Sequence, residues 1–332
     1  MNFENLNSLI IVAEIGVNHE GSKENCAKII KLAAEVGCKY VKLQSYTTDR
    51  YASKDDKGRY ERVDRFGLSI EDFISLYEYS KKLGVSMIST PLSEDWVDKL
   101  APYCSILKIA SGDLTFQPVI EKAAKSGRSI IMSTGASTVD EIDQAVSWVE
   151  NIVGSDYLVE RLALMHCVAS YPTPINQANV LSVPFLKERY NLRVGYSNHV
   201  ESYVPCISAV ALGADIIEVH FTDKKEGRSF RDHSLSLNQS DLKNLISFSN
   251  EVKVSLGKKE KVVQDCEQES VNALRKGLVA AVDIKQGEII GTKHIKFARP
   301  AHYFVSSESH KLIGKKIKND LKSGFLFKEN MF

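Results

Sequence analysis

The stretch Arg193-Val194-Gly195-Tyr196-Ser197-Asn198-His199, followed after a helix-like run by Asp215-Ile216-Ile217-Glu218-Val219-His220-Phe221, decides the reading of this chain. Each half is a short apolar run whose last residues turn polar. The segment between them, Tyr203 to Leu212, has apolar residues at helical spacing and stops at Gly213. Together they make one βαβ unit with a histidine at each strand end. In a parallel α/β protein the carboxyl ends of neighbouring strands share one crevice, so His199 and His220 are expected to face the same space. Two neutral imidazoles converging there suit a divalent transition metal, although such a pair could equally hydrogen-bond in a packed core.

Outward from this unit the same alternation runs back to the N-terminus. Leu9 to Ile15 is an apolar run containing Glu14 and followed by Asn18-His19; Lys23 to Val36 reads as a helix stopped by Gly37. Further strands are expected at Lys39–Ser45, Val85–Ser89, Ile106–Ala110, Ser129–Met132 and Leu162–Cys167, with helices at Ser69–Leu83, Asp140–Ile152 and Gln239–Leu256. Thr47 to Phe66 reads as a long polar loop, a candidate for substrate contact or a lid. Eight strands with intervening helices over roughly 250 residues predict a closed (β/α)8 TIM barrel. An open doubly wound sheet is disfavoured, because no GxGxxG or GxxxxGK[ST] loop follows an early strand.

Past the barrel the composition changes. The expected division is a barrel at 1–256, a charged linker at 257–274 and a small β-rich domain at 275–332, where strand-like pieces (Gly277–Val282, Ile289-Ile290, Ile295–Ala298) alternate with turns.

Forty-three Lys and Arg against 42 Asp and Glu leave no bulk field to recruit nucleic acid or an anionic membrane. Anionic ligands must be held by local charge. The six cysteines form no CxxC pair and suit a reducing compartment. With no leader peptide and no apolar run near the ~18 residues of a membrane span, a soluble cytoplasmic protein is expected.

Barrel active sites form at the C-terminal ends of the strands, so the polar residues there can be read together. They are Glu14, Asn18, His19, Lys42, Gln44, Thr90, Lys108, Ser111, Asp113, Ser133, His166, Tyr171, Ser197, His199, Glu218 and His220. Lys42 and Lys108 sit inside apolar strands, where an unpaired ammonium is costly. Each could pair with Glu14, Asp113 or Glu218 as a structural ion pair; flanked by Ser111 and Ser133 hydroxyls, both also fit a phosphate or carboxylate. His19 and His166 are expected to support the site rather than ligate. A metal, an anion cradle and spare carboxylates suggest carbon–carbon bond chemistry on a phosphorylated or acidic substrate.

The ordered motifs Ala13-Glu14-Ile15-Gly16-Val17-Asn18-His19, Val41-Lys42-Leu43-Gln44, Ser89-Thr90-Pro91, Leu107-Lys108-Ile109-Ala110-Ser111-Gly112, Ser133-Thr134-Gly135, Tyr171-Pro172-Thr173-Pro174, Gly195-Tyr196-Ser197-Asn198-His199 and Glu218-Val219-His220-Phe221 resemble the bacterial sialic acid synthases over essentially the whole chain. Asp283-Ile284-Lys285-Gln286-Gly287-Glu288 and Arg299-Pro300 resemble the antifreeze-like (SAF, β-clip) domain of those enzymes. The resemblance implies condensation of phosphoenolpyruvate with N-acetylmannosamine or a related amino sugar, giving a nine-carbon 2-keto sugar acid and phosphate. It implies that His199 and His220 hold Mn²⁺, with Mg²⁺ or Co²⁺ as alternatives. Lys42, Thr90, Lys108, Ser111, Ser133 and Ser197 would cradle phosphoenolpyruvate. Glu14, Gln44, Tyr171 and Asp232 would contact the sugar, and Asp113 would orient the attacking water. Arg299 would reach the sugar from the small domain of a partner, in a domain-swapped homodimer.

The chain departs from the family pattern at several positions. Asp113 stands where family members usually carry Glu, Ala169 where an Asn is frequent and Val219 where a Lys is usual; bulky Ala301-His302-Tyr303-Phe304 replaces a Gly-rich turn. These differences keep the reaction class and leave the acceptor open, so legionaminic or pseudaminic acid synthesis from a 2,4-diacetamido-hexose is an alternative. A metal-dependent barrel aldolase is a second enzyme reading. A vestigial barrel carrying a glycan-binding small domain is a third.

Overall fold

Residues 1–228 and 230–332 are described by the computed structural model. Eight parallel strands close on themselves in sequence order: β1 (Ile10–Gly16), β2 (Tyr40–Ser45), β3 (Ser86–Pro91), β4 (Ile106–Ile109), β5 (Ser129–Ser133), β6 (Leu162–Cys167), β7 (Arg193–Asn198) and β8 (Ile216–His220). The ring is completed where β1 pairs with β8, Ile10 opposite Ile216 and Glu14 opposite His220. The quoted stretch therefore forms the last two staves of the barrel, and its helix is Val204–Ala211.

Alternation of side chains along each strand sorts them into two layers. Ile11, Ala13, Val41, Leu43, Leu107, Ile109, Val194, Tyr196, Ile217 and Val219 point outward into the large core shared with the helices. Their neighbours Ile10, Val12, Ile88, Ile106, Ile131, Ala163, Met165 and Ile216 fill the barrel interior, joined by Phe3. The Phe3 amide donates to Glu160 O (2.9 Å), and Arg193 Nε donates to Phe3 O (3.1 Å). An N-terminal segment thus plugs the barrel at the end where the strands begin. Full burial of each aliphatic side chain contributes roughly 1.5–3 kcal/mol, so the lower interior is pure packing. One step further along the same faces come Glu14, Lys42, Thr90, Lys108, Ser133, Ser197 and Glu218, all buried. Burying so many polar groups in one layer is costly unless they pair or serve a ligand.

Gly195 on β7 has no room for a side chain: a Cβ there would lie 2.4 Å from Ile216 O. Glycine at this point lets β7 and β8 approach closely enough to pair.

The surrounding helices begin on polar caps. In α1 (Lys23–Glu35) Ser22 Oγ accepts from the Asn25 amide, and Thr138 with Glu141 forms a capping box on helix Val139–Val153. The segment expected as an open polar loop, Thr47 to Phe66, instead forms α2 (Thr48–Tyr51) and α3 (Lys57–Phe66), leading into α4 (Ile70–Lys82). Tyr46 OH donates to Val63 O (3.1 Å), and Tyr46, Ala52, Val63 and Leu92 make a small apolar core beneath these helices. Asp56 caps α3 through the Arg59 amide. Local caps and a few apolar anchors order a segment whose overall composition is hydrophilic.

The chain divides into two compact units, Met1–Gly257 and Lys258–Phe332. In the second, β9 (Gly277–Ala280) pairs antiparallel with β10 (Ile295–Ala298), and isolated bridges join Val279 to Leu326 and Ile284 to Leu321. Leu278, Ala280, Ile284, Ile290, Leu312, Ile317, Leu321 and Phe327 form its core. The connector preceding it carries a 3₁₀ turn at Asp265–Ser270 and a short helix at Val271–Leu274.

Candidate active site

Where the polar layer opens at the carboxyl ends of the strands lies a cavity of about 710 Å³. Every site residue expected in the first unit lines it: Glu14, Lys42, Gln44, Thr90, Lys108, Ser111, Asp113, Ser133, Tyr171, Ser197, His199, His220 and Asp232. Residues scattered over more than 200 positions of sequence converge because each occupies the end of a different strand or the loop after it. Arg299 lies in the second unit, where its Nε donates to Leu274 O (2.6 Å).

At the cavity floor Lys42 Nζ is ion-paired with Glu14, lies 3.8 Å from Glu218 Oε2 and donates to Thr90 Oγ1 (3.3 Å). Burial works against its charge, but Glu14 and Glu218 outweigh that effect and hold its pKa above the ordinary lysine value. Glu218 accepts from Ser197 Oγ (3.0 Å) and Glu14 from Gln44 Nε2 (3.1 Å). Burial disfavours the Glu218 carboxylate, yet Lys42 and Lys108 keep it below the usual range. Gly16, at φ +53°, turns the chain just beyond Glu14; a Cβ there would sit 2.7 Å from Glu14 Oε1.

Lys108 differs from its neighbour. Its Nζ donates to Ser133 Oγ (2.6 Å) and Ile109 O (2.9 Å) and meets no carboxylate at ion-pair distance among the described residues. Burial lowers its pKa, with Glu218 opposing and Lys42 adding to the depression. Such an ammonium gains most from an incoming anion. Beside it, Ser111 Oγ accepts from the Gly135 amide (3.0 Å) and lies 2.9 Å from Cys167 Sγ.

On the opposite wall the rings of His199 and His220 are 5.4 Å apart. His199 Nδ1 lies 2.6 Å from Val168 O, so it carries the proton and leaves Nε2 as a free lone pair. Burial, reinforced by His220, pushes the His199 pKa down to about 3. His220 Nδ1 is 3.9 Å from Asp232 Oδ2, and Tyr171 stacks on His199 at 4.1 Å. A neutral imidazole with a fixed tautomer, as His199 is, is the form that binds a divalent metal; with His220 beside it the two could serve as ligands, and the remaining coordination positions would fall to water or substrate. Among the described residues no third His, Cys, Asp or Glu completes a cluster of ligands.

Asp113 stands apart from these pairs. One carboxylate oxygen is buried without a hydrogen-bond partner among the described residues. Burial raises its pKa to about 6 against the lowering influence of Lys108 and Arg59. A carboxyl poised there exchanges a proton near neutral pH.

Asn18, His19 and His166 support the walls. Asn18 Nδ2 donates to Phe221 O (3.0 Å) and Ser236 Oγ (2.9 Å), His19 Nδ1 accepts from the Gly21 amide (3.1 Å), and His166 Nε2 contacts Ala178 O (2.9 Å). The cavity also has lining residues that the strand-end reading missed: Arg59, Arg62 and Phe66 of α3, and Phe230 and Arg231 before Asp232. Phe66 meets Phe230 edge to face at 5.5 Å across the mouth, and the Arg231 guanidinium lies over the Tyr171 ring at 4.9 Å.

The segment bearing Asp232 is tied down by charge. Arg228 contacts Glu20 Oε2 (2.9 Å) and both oxygens of buried Asp223 (3.0 and 3.1 Å), and Lys28 reaches Asp223 Oδ2 (2.7 Å). Arg228→Ala is expected to cost about 1–3 kcal/mol and to speed amide exchange over residues 222–235, with Arg228→Lys recovering part of both. Thermal unfolding and hydrogen exchange measure this directly; unchanged protection would mean the ion network does not hold Asp232.

Residues 29–261 match the model of the NeuB family, and residues 275–332 match the SAF domain. The chain is 32% identical to the N,N'-diacetyllegionaminic acid synthase of Campylobacter jejuni, covering 96% of this chain and 99% of that one. It is 30% identical to the N-acetylneuraminate-9-phosphate synthase of Drosophila melanogaster, over 85% of this chain and 84% of the relative. Among solved structures, the N-acetylneuraminic acid synthetase of Leptospira borgpetersenii, crystallised with citrate, superimposes with a TM-score of 0.74 at 30% identity, covering 80% and 90% of the two chains. With its barrel and its small domain both matched, the chain belongs to the NeuB family.

Proposed function

We propose that this protein condenses phosphoenolpyruvate with the open-chain aldehyde of an N-acetylated amino sugar, releasing phosphate and a nine-carbon 2-keto sugar acid. The observation that carries the reading is a single cavity lined both by Lys42, Lys108 and their neighbouring hydroxyls and by the imidazoles of His199 and His220. The synthase names of the relatives support the same reaction class.

Lys108, Ser111, Ser133, Thr90 and Ser197 bind the phosphate and carboxylate of phosphoenolpyruvate, and Lys42 neutralises it from the Glu14 side. This aims the C3 carbon at the wall formed by His199 and His220. His199 and His220 would hold a divalent ion, Mn²⁺ by preference, which would supply Lewis-acid polarisation of the aldehyde. Glu14, Gln44, Tyr171 and Asp232 orient the sugar. The C2–C3 π pair of phosphoenolpyruvate forms the new bond to the aldehyde carbon as the C=O pair moves onto the aldehyde oxygen, which takes up a proton from solvent and becomes a hydroxyl, leaving C2 electron-poor. Asp113 accepts one proton from water as its oxygen adds to C2; the C2–O bond to phosphate then breaks with its electrons on the phosphate, which also takes the remaining hydroxyl proton, leaving the 2-keto group.

We further infer a homodimer in which Arg299 of one subunit contacts the sugar held by the other. Charge favours such an exchange: Lys258–Phe332 holds 15 of the 43 basic residues and only 9 of the 42 acidic ones, leaving the barrel the acidic partner. Six unpaired cysteines are consistent with a cytoplasmic setting, and among the described residues no helix is long and apolar enough to cross a membrane.

The test is phosphate release from phosphoenolpyruvate with Mn²⁺, run against N-acetylmannosamine and a panel of 2,4-diacetamido-hexoses, with mass detection of the product acid. Release coupled to a nine-carbon acid is the expected result. Cleavage of a phosphosugar without phosphoenolpyruvate would replace the synthase with the aldolase reading.

A further inference from the structure

The mouth of the cavity carries cations that the chemistry above does not use. Along α3, Arg59, Arg62, Val63 and Phe66 fall at helical spacing on one face, and all four line the cavity. Val63 and Phe66 are buried as the anchor of that face, and the two arginines form its exposed continuation. Arg50, Arg189, Arg193, Arg228 and Arg231 each pair with a carboxylate, whereas neither Arg59 nor Arg62 has such a partner among the described residues. Arg59 is nonetheless held, its guanidinium lying over the Tyr51 ring at 5.3 Å, and it is near enough to Asp113 to lower that carboxyl's pKa. Two guanidiniums without carboxylate partners at a cavity rim, one of them held over an aromatic ring, suit a planar or tetrahedral anion.

Position decides which anion. Phosphoenolpyruvate takes the floor, where Lys42, Lys108 and four hydroxyls already answer its charges. On the synthase reading the acceptor's aldehyde faces His199 and His220, and Tyr171 and Asp232, which line the same cavity, flank its chain on the way to the mouth. Its far end therefore meets the face that Phe66 and Phe230 brace across the opening. We propose that Arg59 and Arg62 bind an anionic group, phosphate or carboxylate, on the acceptor carbon farthest from the aldehyde, and so set the acceptor class. This rests on the synthase reading.

The experiment compares kcat/KM of the full-length protein with N-acetylmannosamine, its 6-phosphate and the corresponding 6-uronic acid, using Mn²⁺ and saturating phosphoenolpyruvate. One anionic acceptor, or both, is expected to exceed the neutral sugar by about tenfold or more, and the two arms separate phosphate from carboxylate recognition. The double variant Arg59→Gln/Arg62→Gln, both positions being exposed, is expected to raise KM for the anionic acceptor about 10- to 100-fold while KM for phosphoenolpyruvate moves less than about twofold. Arg59→Lys/Arg62→Lys should restore part of the loss, since charge returns without the fork. Equal or better turnover of neutral acceptors would overturn this proposal and leave the synthase standing. A rise confined to the KM for phosphoenolpyruvate would overturn it too, making the arginines steering charges for the first substrate. Absence of phosphate release with every acceptor would sink the synthase reading along with it.

Discussion

Lys42→Ala is expected to abolish turnover and to unfold more readily by about 3–5 kcal/mol, the cost of leaving buried charge without its partner. In the native protein Lys42 is held above its usual pKa and Glu218 below its own, so their contributions have opposite pH signs. The Glu218 part is present above about 4.5 and fades as pH falls; the Lys42 part is present below about 10.5 and fades as pH rises. Between those limits the cluster stabilises. Removing the ammonium strips buried Glu218 of its main counter-charge, so that burial acts against its carboxylate with Lys108 left to oppose it. The variant should therefore lose less stability than the native protein as pH falls below about 4.5. Urea midpoints measured from about pH 2.5 to 7 check this difference; parallel curves for the two proteins would show that Lys42 is not the counter-ion of the floor.

Asp113→Asn is expected to lower kcat by about 10²- to 10⁴-fold, the usual worth of a positioned base, while making the protein more stable at neutral pH. The sign follows from burial: a carboxyl whose folded pKa is about 6 against an ordinary 3.8 penalises the folded state once it ionises. That penalty, on the order of 1–3 kcal/mol, is fully developed above pH 6 and absent below about 3.8, so the gain in the variant should vanish in acid. The native rate should also fall as pH drops through about 6, a limb missing from the residual activity of the variant. Calorimetry at pH 4 and 8 together with the pH–rate profile reads both effects. A variant no more stable than the native protein at pH 8 would remove the strain, and one with full turnover would move the base elsewhere.

Most of the site was legible because a barrel converts sequence alternation into depth. Ile10, Val12 and Glu14 share one face by period two, as do Ile216, Glu218 and His220, so apolar residues early in a strand and polar ones at its end describe a packed floor under a reactive layer. Cys167 was open to the same reasoning, following Ala163 and Met165 on the inward face of β6, but its residue type reads as ordinary core. Arg59 and Arg62 stayed hidden for a different reason. Only Val63 and Phe66 mark the apolar face of α3, too few to outweigh a hydrophilic composition, and the Asp56 cap three residues before Arg59 was the signal available. Arg231 was beyond reach, since nothing in sequence spacing announces a guanidinium stacked on Tyr171.

The plug built around Phe3 has a kinetic meaning. With the strand-start end packed by Phe3 and the interior filled above it by aliphatic side chains, the described residues leave the reacting layer open toward the carboxyl ends of the strands. Traffic is then first in, last out. If phosphoenolpyruvate takes the Lys42/Lys108 floor as proposed, it has to arrive before the sugar that covers it, and the phosphate formed there has to wait for the bulky acid above to depart. Inorganic phosphate would then compete with phosphoenolpyruvate for the empty protein, while an inert analogue of the sugar would trap the first substrate inside instead of displacing it.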